Sequence, residues 1–193
     1  MSLNKLLQSP ALDDEFFTHL RMVEPDDAQF ICDLRSDPSL NQHLSQSPAD
    51  VAAQREWILQ YKKREAAGTE FYFVIRHQET DYGVIRMYDF QDDPKSFCWG
   101  SWIIKSLPNK PAGLASFSAM MMYEIGFDVL GFDQSHFDVR KENTKVINFH
   151  LRSGAKMVGE TELDDLFVFS RDSWPLFKAA CDKHTRSLRI FHG

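Results

Sequence analysis

Hydrophobic and polar positions follow two periods along this chain, and each change of period marks a change between helix and strand. Apolar side chains three and four positions apart predict helices, whereas alternating or short continuous β-branched and aromatic runs predict strands. The predicted helices are residues 24–37, 51–65, 116–130, 143–152 and 174–185. The predicted strands are residues 16–23, 71–76, 82–88, 97–104, 132–139, 158–163 and 166–171, the last two as a hairpin turning at Asp164-Asp165.

The lengths of the connections between these elements predict how the strands pair. Hairpin-length loops join neighbouring strands in most of the chain, which predicts antiparallel pairing. The strand at 97–104, the helix at 116–130 and the strand at 132–139 instead form one βαβ crossover. The sequence therefore predicts an α+β fold, with a mostly antiparallel, twisted central sheet flanked by helices, in a single domain over residues 1–193.

Composition and charge narrow the class of protein. A length of 193 residues, 43% of them hydrophobic with 16 Phe and 4 Trp, suits one globular domain with a substantial core. A net charge of −6 makes nucleic acid a poor partner. Nowhere do 18 apolar residues run together, so we expect no membrane segment. Cys32, Cys98 and Cys181 lack metal-site spacing and predict buried thiols, no metal and a cytoplasmic protein.

One loop combines small residues with a position that favours anion binding. Lys110-Pro111-Ala112-Gly113-Leu114-Ala115 lies between the 97–104 strand and the following helix. The first backbone N–H groups of a helix lack intrahelical partners, and the helix dipole is positive there. The loop is therefore a candidate phosphate site, with an ordinary strand-to-helix turn as the other interpretation.

The element order and this loop together resemble the GNAT superfamily of acyl-CoA-dependent N-acyltransferases. The family's phosphate loop reads Gln/Arg-x-x-Gly-x-Gly/Ala, and here Lys110 occupies the first position while Gly113 and Ala115 match the later two. Lys110 keeps a positive charge there, but Pro111 removes one backbone donor. The N–H groups of residues 112–116 remain, so the resemblance implies binding of the acetyl-CoA pyrophosphate.

Further stretches resemble the branch of that superfamily that acetylates ribosomal-protein N-termini and nucleotide-linked amino sugars. Residues 20–28 and 34–38 are similar to its opening strand, helix and first loop. Gly100-Ser101-Trp102-Ile103 resembles its Gly-Tyr-Trp-Ile strand, and Asn143 with Gly154 matches its strand end and closing segment. The resemblance implies transfer of an acetyl group from acetyl-CoA to a primary amine.

The resemblance also implies which residues contact the donor. In the family, the backbone of the fourth strand pairs with pantetheine, and the Asn at the end of the fifth strand lies beside the pantetheine arm. Carried over, the donor-binding residues are Ile103, Ile104, Lys105, Lys110, Ala112, Gly113, Leu114, Ala115 and Asn143. Asn143 also suits a helix N-cap, and both roles are compatible.

The catalytic residues are carried over less directly. Seven residues after the Asn, the family commonly has a Tyr that protonates the departing thiolate, and here the position is His150. Histidine is able to make the same proton transfer. The fourth strand lacks the Glu that many relatives use as general base, so we predict Asp89, with His136 and Asp138 as alternatives. Cys98 has no neighbouring His in sequence to activate it and reads as a buried thiol.

The acceptor is open at this stage, and the candidate aromatic residues of its cleft, each with core packing as the other interpretation, are Trp57, Tyr61, Tyr88, Trp99 and Trp102. It is either a small metabolite, for instance a nucleotide-linked amino sugar, or a protein N-terminus, and the acidic net charge mildly favours a cationic amine. We expect a monomer or a homodimer. A CoA-binding or interaction module without catalysis is the competing hypothesis, because the strand Glu is missing and His replaces Tyr.

Overall fold

The computed structural model describes residues 18–40 and 50–182. Within these ranges it contains seven strands and five helices. Residues 16 and 17 of the first predicted strand and residues 183–185 of the last predicted helix lie outside the described residues.

The strands form one mixed sheet. They are β1 (Thr18–Met22), β2 (Phe71–His77), β3 (Thr80–Asp92), β4 (Lys95–Ile104), β5 (Gln134–Arg140), β6 (Lys156–Glu160) and β7 (Asp164–Ser170). Their spatial order is β1-β2-β3-β4-β5-β7-β6. The β4–β5 pair is parallel and the other five pairs are antiparallel. The predicted α+β fold with one βαβ crossover is confirmed.

Helices cover both faces of the sheet. They are α1 (Ala28–Ser36), α2 (Val51–Ala66), α3 (Leu114–Glu124), α4 (Thr144–Ser153) and α5 (Trp174–Asp182). Ile31 and Leu34 of α1 and Ile58 of α2 pack on one face of β2, β3 and β4. The crossover helix α3, with α4 and α5, packs on the other face in a larger aromatic core.

The crossover helix is buried on all sides. Every residue from Phe117 to Glu124 is buried, which explains the unbroken Met120-Met121-Met122 run as core filling. The helix continues as a π-helical turn over Ile125–Val129. Gly126 in that turn is required by packing, since a Cβ there would lie 2.2 Å from the ring of Phe97.

Two predicted boundaries are wrong for local reasons. The last hairpin turns at residues 161–163 and not at Asp164-Asp165, because the Thr161 hydroxyl accepts hydrogen bonds from the N–H groups of Leu163 and Asp164. The crossover helix begins at Leu114, two residues earlier than predicted, because Gly113 adopts φ +79° and caps it.

The sheet opens between β4 and β5. Within the described residues these strands pair at two positions, Ser96 with Gln134 and Phe97 with Ser135, and then diverge. A β-bulge follows in β4, where Ser101 and Trp102 oppose the single residue Ile85, and Ser101 takes φ +48°. Strand divergence next to a bulge leaves a cleft in the middle of the sheet. Among the described helices none is long and apolar enough to cross a membrane.

Candidate active site

A cavity of about 210 Å³ occupies the opening between β4 and β5, and we call it the acyl-CoA cavity after the ligand that the sequence resemblance predicts for this part of the sheet. Side chains and backbone of β4, β5, α4 and β7 line it. The lining residues are Trp99, Gly100, Ser101, Trp102, Phe137, Asp138, Val139, Arg140, Asn143, Val146, His150 and Asp164. The Trp102 indole donates a 3.0 Å hydrogen bond to the buried Ser118 hydroxyl, which fixes β4 against the crossover helix.

The predicted phosphate loop leads directly into the N-terminus of α3. The first intrahelical bond runs from the N–H of Phe117 to the carbonyl of Gly113 at 2.8 Å. The N–H groups of Ala115 and Ser116 therefore precede it, in the positive end of the helix dipole. Ala112 and Gly113 are exposed, and Lys110 is an exposed cation at the loop's start. Leu114 is buried, so its side chain anchors the helix.

The predicted pantetheine strand is paired along one edge. Ile103 and Ile104 pair with Val84 and Gly83 of β3, and the N–H of Lys105 bonds to the carbonyl of Tyr82. Because β5 has diverged at this level, the other edge of β4 is left for a ligand to pair with. The Lys105 ammonium itself lies 4.5 Å from the centre of the Phe30 ring, on the side of α1.

Asn143 serves as a helix cap and lines the cavity as well. Its side-chain oxygen accepts a 3.3 Å hydrogen bond from the N–H of Val146, the N-cap arrangement. The cations near it carry ion pairs. Arg140 contacts Asp164 at 3.3 Å and Lys141 contacts Glu160 at 2.7 Å, so both cations are paired with carboxylates.

His150 is buried in a shell of aromatic rings beside the cavity. Its ring centre lies 4.2 Å from that of Phe137 and 5.3 Å from that of Trp99. Burial lowers the pKa of His150 to about 3, so the imidazole is neutral at pH 7. Its Nδ1 has no hydrogen-bond partner within the described part of the chain. His150 lines the cavity, but its Nδ1 is itself fully buried, so it is an unsatisfied polar atom directly behind the cavity wall.

Asp89 lies at the paired end of the cleft and does not line the acyl-CoA cavity. Its carboxylate contacts His136 Nε2 at 2.9 Å, and His136 Nδ1 shares a short hydrogen bond with the Ser96 hydroxyl. The order Ser–His–Asp is that of a nucleophile relay, but Ser96 is fully buried. The cluster therefore joins β3, β4 and β5 where β4 and β5 still pair.

Asp138 lies closer to the centre of the cleft. It is exposed, lines the acyl-CoA cavity with Gly100 and Ser101, and shares a face of β5 with His136. Burial raises the pKa of the Cys98 thiol to about 12, and the charge of Asp138 contributes to the rise. Cys98 is thus a neutral, buried thiol, as predicted, and not an activated nucleophile.

A second cavity of about 200 Å³ adjoins the first, and we call it the acceptor cavity after the substrate that we propose for it below. It lies between the helices α1 and α2 and the strands β2, β3 and β4. The lining residues are Ile31, Arg35, Gln54, Trp57, Tyr72, Arg86 and Ser101. Ser101 lines both cavities, so the bulge of β4 is where they meet.

The sequence analysis missed most of the acceptor cavity. Of its lining residues only Trp57 was anticipated, in a set of aromatic side chains proposed for such a cleft; Tyr61, from the same set, is fully buried in the core. The available signal was Arg86, an ionisable residue inside an apolar strand. Among the described residues, no group of three or more His, Cys, Asp or Glu side chains is placed to hold a metal ion.

Comparison with solved structures finds extensive similarity to N-acyltransferases. Apo FdhC, described as a nucleotide-linked sugar GNAT, is 44% identical over 85% of this chain and 92% of its own, with a TM-score of 0.77. The spermidine N-acetyltransferase of Vibrio cholerae, in complex with CoA and spermine, is 18% identical over 82% of this chain and 98% of its own, with a TM-score of 0.68. The second likeness shows the fold alone.

One of two sequence comparisons identifies the family. A search of curated proteins finds no match. The acetyltransferase (GNAT) domain family matches residues 18–156, which is most of the chain. The resemblance inferred from the phosphate loop and strand motifs is confirmed by this match and by the similarity to FdhC. The chain belongs to the GNAT family of acetyltransferases.

Proposed function

We propose that this protein transfers an acetyl group from acetyl-CoA to the amine of a nucleotide-linked amino sugar. The observation that carries the proposal is the 44% identity to FdhC, a nucleotide-linked sugar GNAT, over 85% of the chain. Two cavities that meet at Ser101 suit a donor and an acceptor that must react with each other.

The acyl-CoA cavity, the edge of β4 and the predicted phosphate loop together offer the donor three kinds of contact. The N–H groups at the start of α3 and the Lys110 ammonium suit the pyrophosphate, and the free edge of β4 beyond Ser101 suits the amides of pantetheine. His150 supplies a polar nitrogen within an aromatic wall. Acetyl-CoA, when bound, supplies an activated acyl carbonyl to this site.

Two residues of the chain then handle the proton and the sulfur. Asp138, exposed beside Gly100 and Ser101, accepts the proton that the amine loses, directly or through water. Asp89 remains the prediction made from sequence for this role, but its carboxylate is held by His136 outside the cavity lining. Because His150 is neutral at pH 7, its role in our proposal is to donate a hydrogen bond to the departing sulfur. The proton given up by the amine balances the one that the thiolate takes from solvent.

The acceptor cavity favours an anionic acceptor over a cationic one. Its lining includes Arg35 and Arg86 and no carboxylate. The net charge of −6, which mildly favoured a cationic amine, does not describe this local surface. A protein N-terminus is the second candidate acceptor, and the cytoplasmic location and the monomeric or dimeric state stay predictions.

Release of free thiol from acetyl-CoA tests the proposal. The panel consists of UDP- and dTDP-linked amino sugars, the corresponding free amino sugars, spermidine and peptides with free N-termini. We expect the highest kcat/KM with a nucleotide-linked amino sugar and no release with the same compound already N-acetylated. Turnover confined to spermidine or to peptides contradicts the acceptor assignment. Thermal stabilisation by acetyl-CoA without turnover of any amine supports the non-catalytic CoA-binding alternative.

A further inference from the structure

Arg86 lines the acceptor cavity, and a carboxylate and two aromatic rings hold its guanidinium group in place. Its Nε donates a 2.7 Å hydrogen bond to one carboxylate oxygen of Glu70. The guanidinium carbon lies 5.2 Å from the ring centre of Trp57 and 4.6 Å from that of Tyr88, within the range of cation–π contact. A guanidinium fixed through Nε and through ring faces has its amino groups in a defined orientation for a ligand.

Glu70 positions Arg86 without cancelling the charge of the cluster. It is 4% exposed, and its other oxygen accepts a 2.6 Å hydrogen bond from Arg64 Nε. One carboxylate between two guanidinium groups leaves the cluster positively charged. Arg35, at the last turn of α1, adds a second cation to the same cavity. Burial raises the pKa of Tyr72 to about 12, and the charges of Arg35 and Arg86 oppose that rise, which agrees with both cations lying near its ring.

The position of this cluster relates it to the acyl-transfer centre. Arg86 pairs with Gly100 in the β3–β4 ladder, immediately before the bulge at Ser101 that joins the two cavities. An anion bound by Arg86 therefore lies close to the junction with the acyl-CoA cavity, within reach of an acceptor whose amine is in that cavity. Planar guanidinium groups bind phosphate oxygens in pairs, and a diphosphate offers several of them.

We infer that Arg86, oriented by Glu70 and assisted by Arg35, binds the diphosphate of the acceptor and selects nucleotide-linked over free amino sugars. The inference rests on the proposed function, since it assigns the part of the site that recognises the nucleotide. Trp57, 36% exposed beside the cluster, offers an aromatic face at the cavity wall. The alternative is that the Arg64–Glu70–Arg86 cluster only ties α2 to the sheet.

The alternative can be separated because Arg64 is a matched control. Arg64 bonds to the same carboxylate and its guanidinium carbon lies 5.4 Å from the same Trp57 ring, but it does not line the acceptor cavity. Arg64→Gln removes one half of the ion pair with Glu70, as Arg86→Gln does. A purely structural cluster predicts the same effect from both substitutions.

The experiment measures KM for both substrates in the wild type, Arg86→Gln, Arg86→Lys and Arg64→Gln. We expect Arg86→Gln to raise KM for the nucleotide-linked amino sugar about tenfold to a hundredfold, the range for loss of hydrogen bonds to a charged group. KM for acetyl-CoA and kcat/KM for the free amino sugar stay within about twofold, since neither uses the diphosphate contact. Arg86→Lys gives an intermediate KM, and Arg64→Gln leaves it near the wild-type value.

A binding measurement keeps this inference separate from the choice of substrate. UDP and dTDP are titrated into the protein saturated with CoA, so that the donor site is occupied. We expect binding that weakens in Arg86→Gln and in Arg35→Gln, the second variant in case the first does not fold, but not in Arg64→Gln. If no nucleotide-linked sugar is turned over, the proposed function fails while nucleotide binding still tests Arg86. If the sugar is turned over and the two glutamine variants at positions 64 and 86 behave alike, the diphosphate site is refuted.

Discussion

The acyl-CoA cavity and the acceptor cavity meet at Ser101, but they are built from different parts of the chain. The first depends on backbone, namely the divergence of β4 from β5 and the bulge in β4, and the predicted phosphate loop before α3 adds further backbone N–H groups outside its lining. The second depends on residues from five elements, and one of them, Arg86, is held by an ion pair with Glu70. Contacts made by backbone groups are largely independent of side-chain identity, so they suit a substrate that stays constant. Contacts made by side chains change when residues are substituted, so they suit a substrate that varies, here the acceptor.

This difference has a consequence for substitution. Changes in the acyl-CoA cavity are expected to act when they alter backbone conformation or a reacting group. Changes in the acceptor cavity are expected to act when they remove charge, as in the Arg86 and Arg64 comparison. Three further variants test the division, starting with the one expected to have the largest effect.

Asp138→Asn is expected to lower kcat/KM about 100-fold, the scale of a general base removed from an acyl transfer. Asp138 lines the acyl-CoA cavity, but the proton that we propose it accepts comes from the acceptor amine. Its proposed role therefore depends on both substrates. The measurement is steady-state thiol release, with KM for acetyl-CoA determined separately. We expect that KM to change by less than about threefold, because the carboxylate is not needed to bind the donor.

Asp89→Asn is the control for this variant. Asp89 contacts His136 at 2.9 Å and lies outside the cavity lining. The control is expected to retain activity within about fivefold of wild type, the range for an exposed ion pair that does not touch substrate. The reverse result, with Asp89→Asn inactive and Asp138→Asn active, restores Asp89 as the base and removes Asp138 from the mechanism.

The same division explains what could be predicted from the sequence. Alternation, turn residues and the Gly113 loop are local signals, so the element order and the βαβ crossover were predictable. The hairpin turn was misplaced because one hydroxyl, that of Thr161, outweighed the propensity of the two aspartates beyond it.

The acceptor cavity had one weak local signal in the sequence, the ionisable Arg86 within an apolar strand. Arg35, Gln54 and Arg86 are separated by long stretches of sequence and meet through the packing of α1 and α2 on the sheet. Likewise, the neutral state of His150 follows from four aromatic rings contributed by three strands and one helix. Such environments depend on tertiary packing, which periodicity alone does not determine.

His150→Phe is expected to change how stability depends on pH. The folded pKa of His150, about 3, lies below the ordinary value of 6.5, so below pH 6.5 the unfolded chain binds a proton that the folded protein does not. His150 therefore leaves the free energy of unfolding unchanged above about pH 7 and lowers it increasingly as the pH falls toward 3. Between pH 6.5 and pH 5 the wild type should lose about 1.5 kcal/mol more unfolding free energy than the variant.

Urea unfolding of both proteins at these two pH values measures the difference. The other histidines are common to both proteins, so their contributions cancel. Equal losses in the two proteins indicate that His150 is protonated in the folded state, and the neutral hydrogen-bond donor proposed for the departing sulfur is then withdrawn. Thiol release at pH 7 is measured alongside, where the variant should turn over more slowly with little change in KM for acetyl-CoA.

Gly113→Ala isolates the backbone contacts of the predicted phosphate loop. Gly113 has φ +79°, and a Cβ there meets nothing within 4 Å, so the substitution introduces no clash and acts through conformation alone. Gly131→Ala is the matched control, since Gly131 has φ +76° and is equally open, but does not cap the N-terminus of α3 as Gly113 does. Both variants should lose about 1 kcal/mol of unfolding free energy, the cost of a left-handed alanine.

Only Gly113→Ala should raise KM for acetyl-CoA, by about fivefold if that energy is released by distorting the loop. An equal KM in the two variants means that the N–H groups at the start of α3 do not hold the donor, and the strand edge of β4 is then left as its main backbone contact.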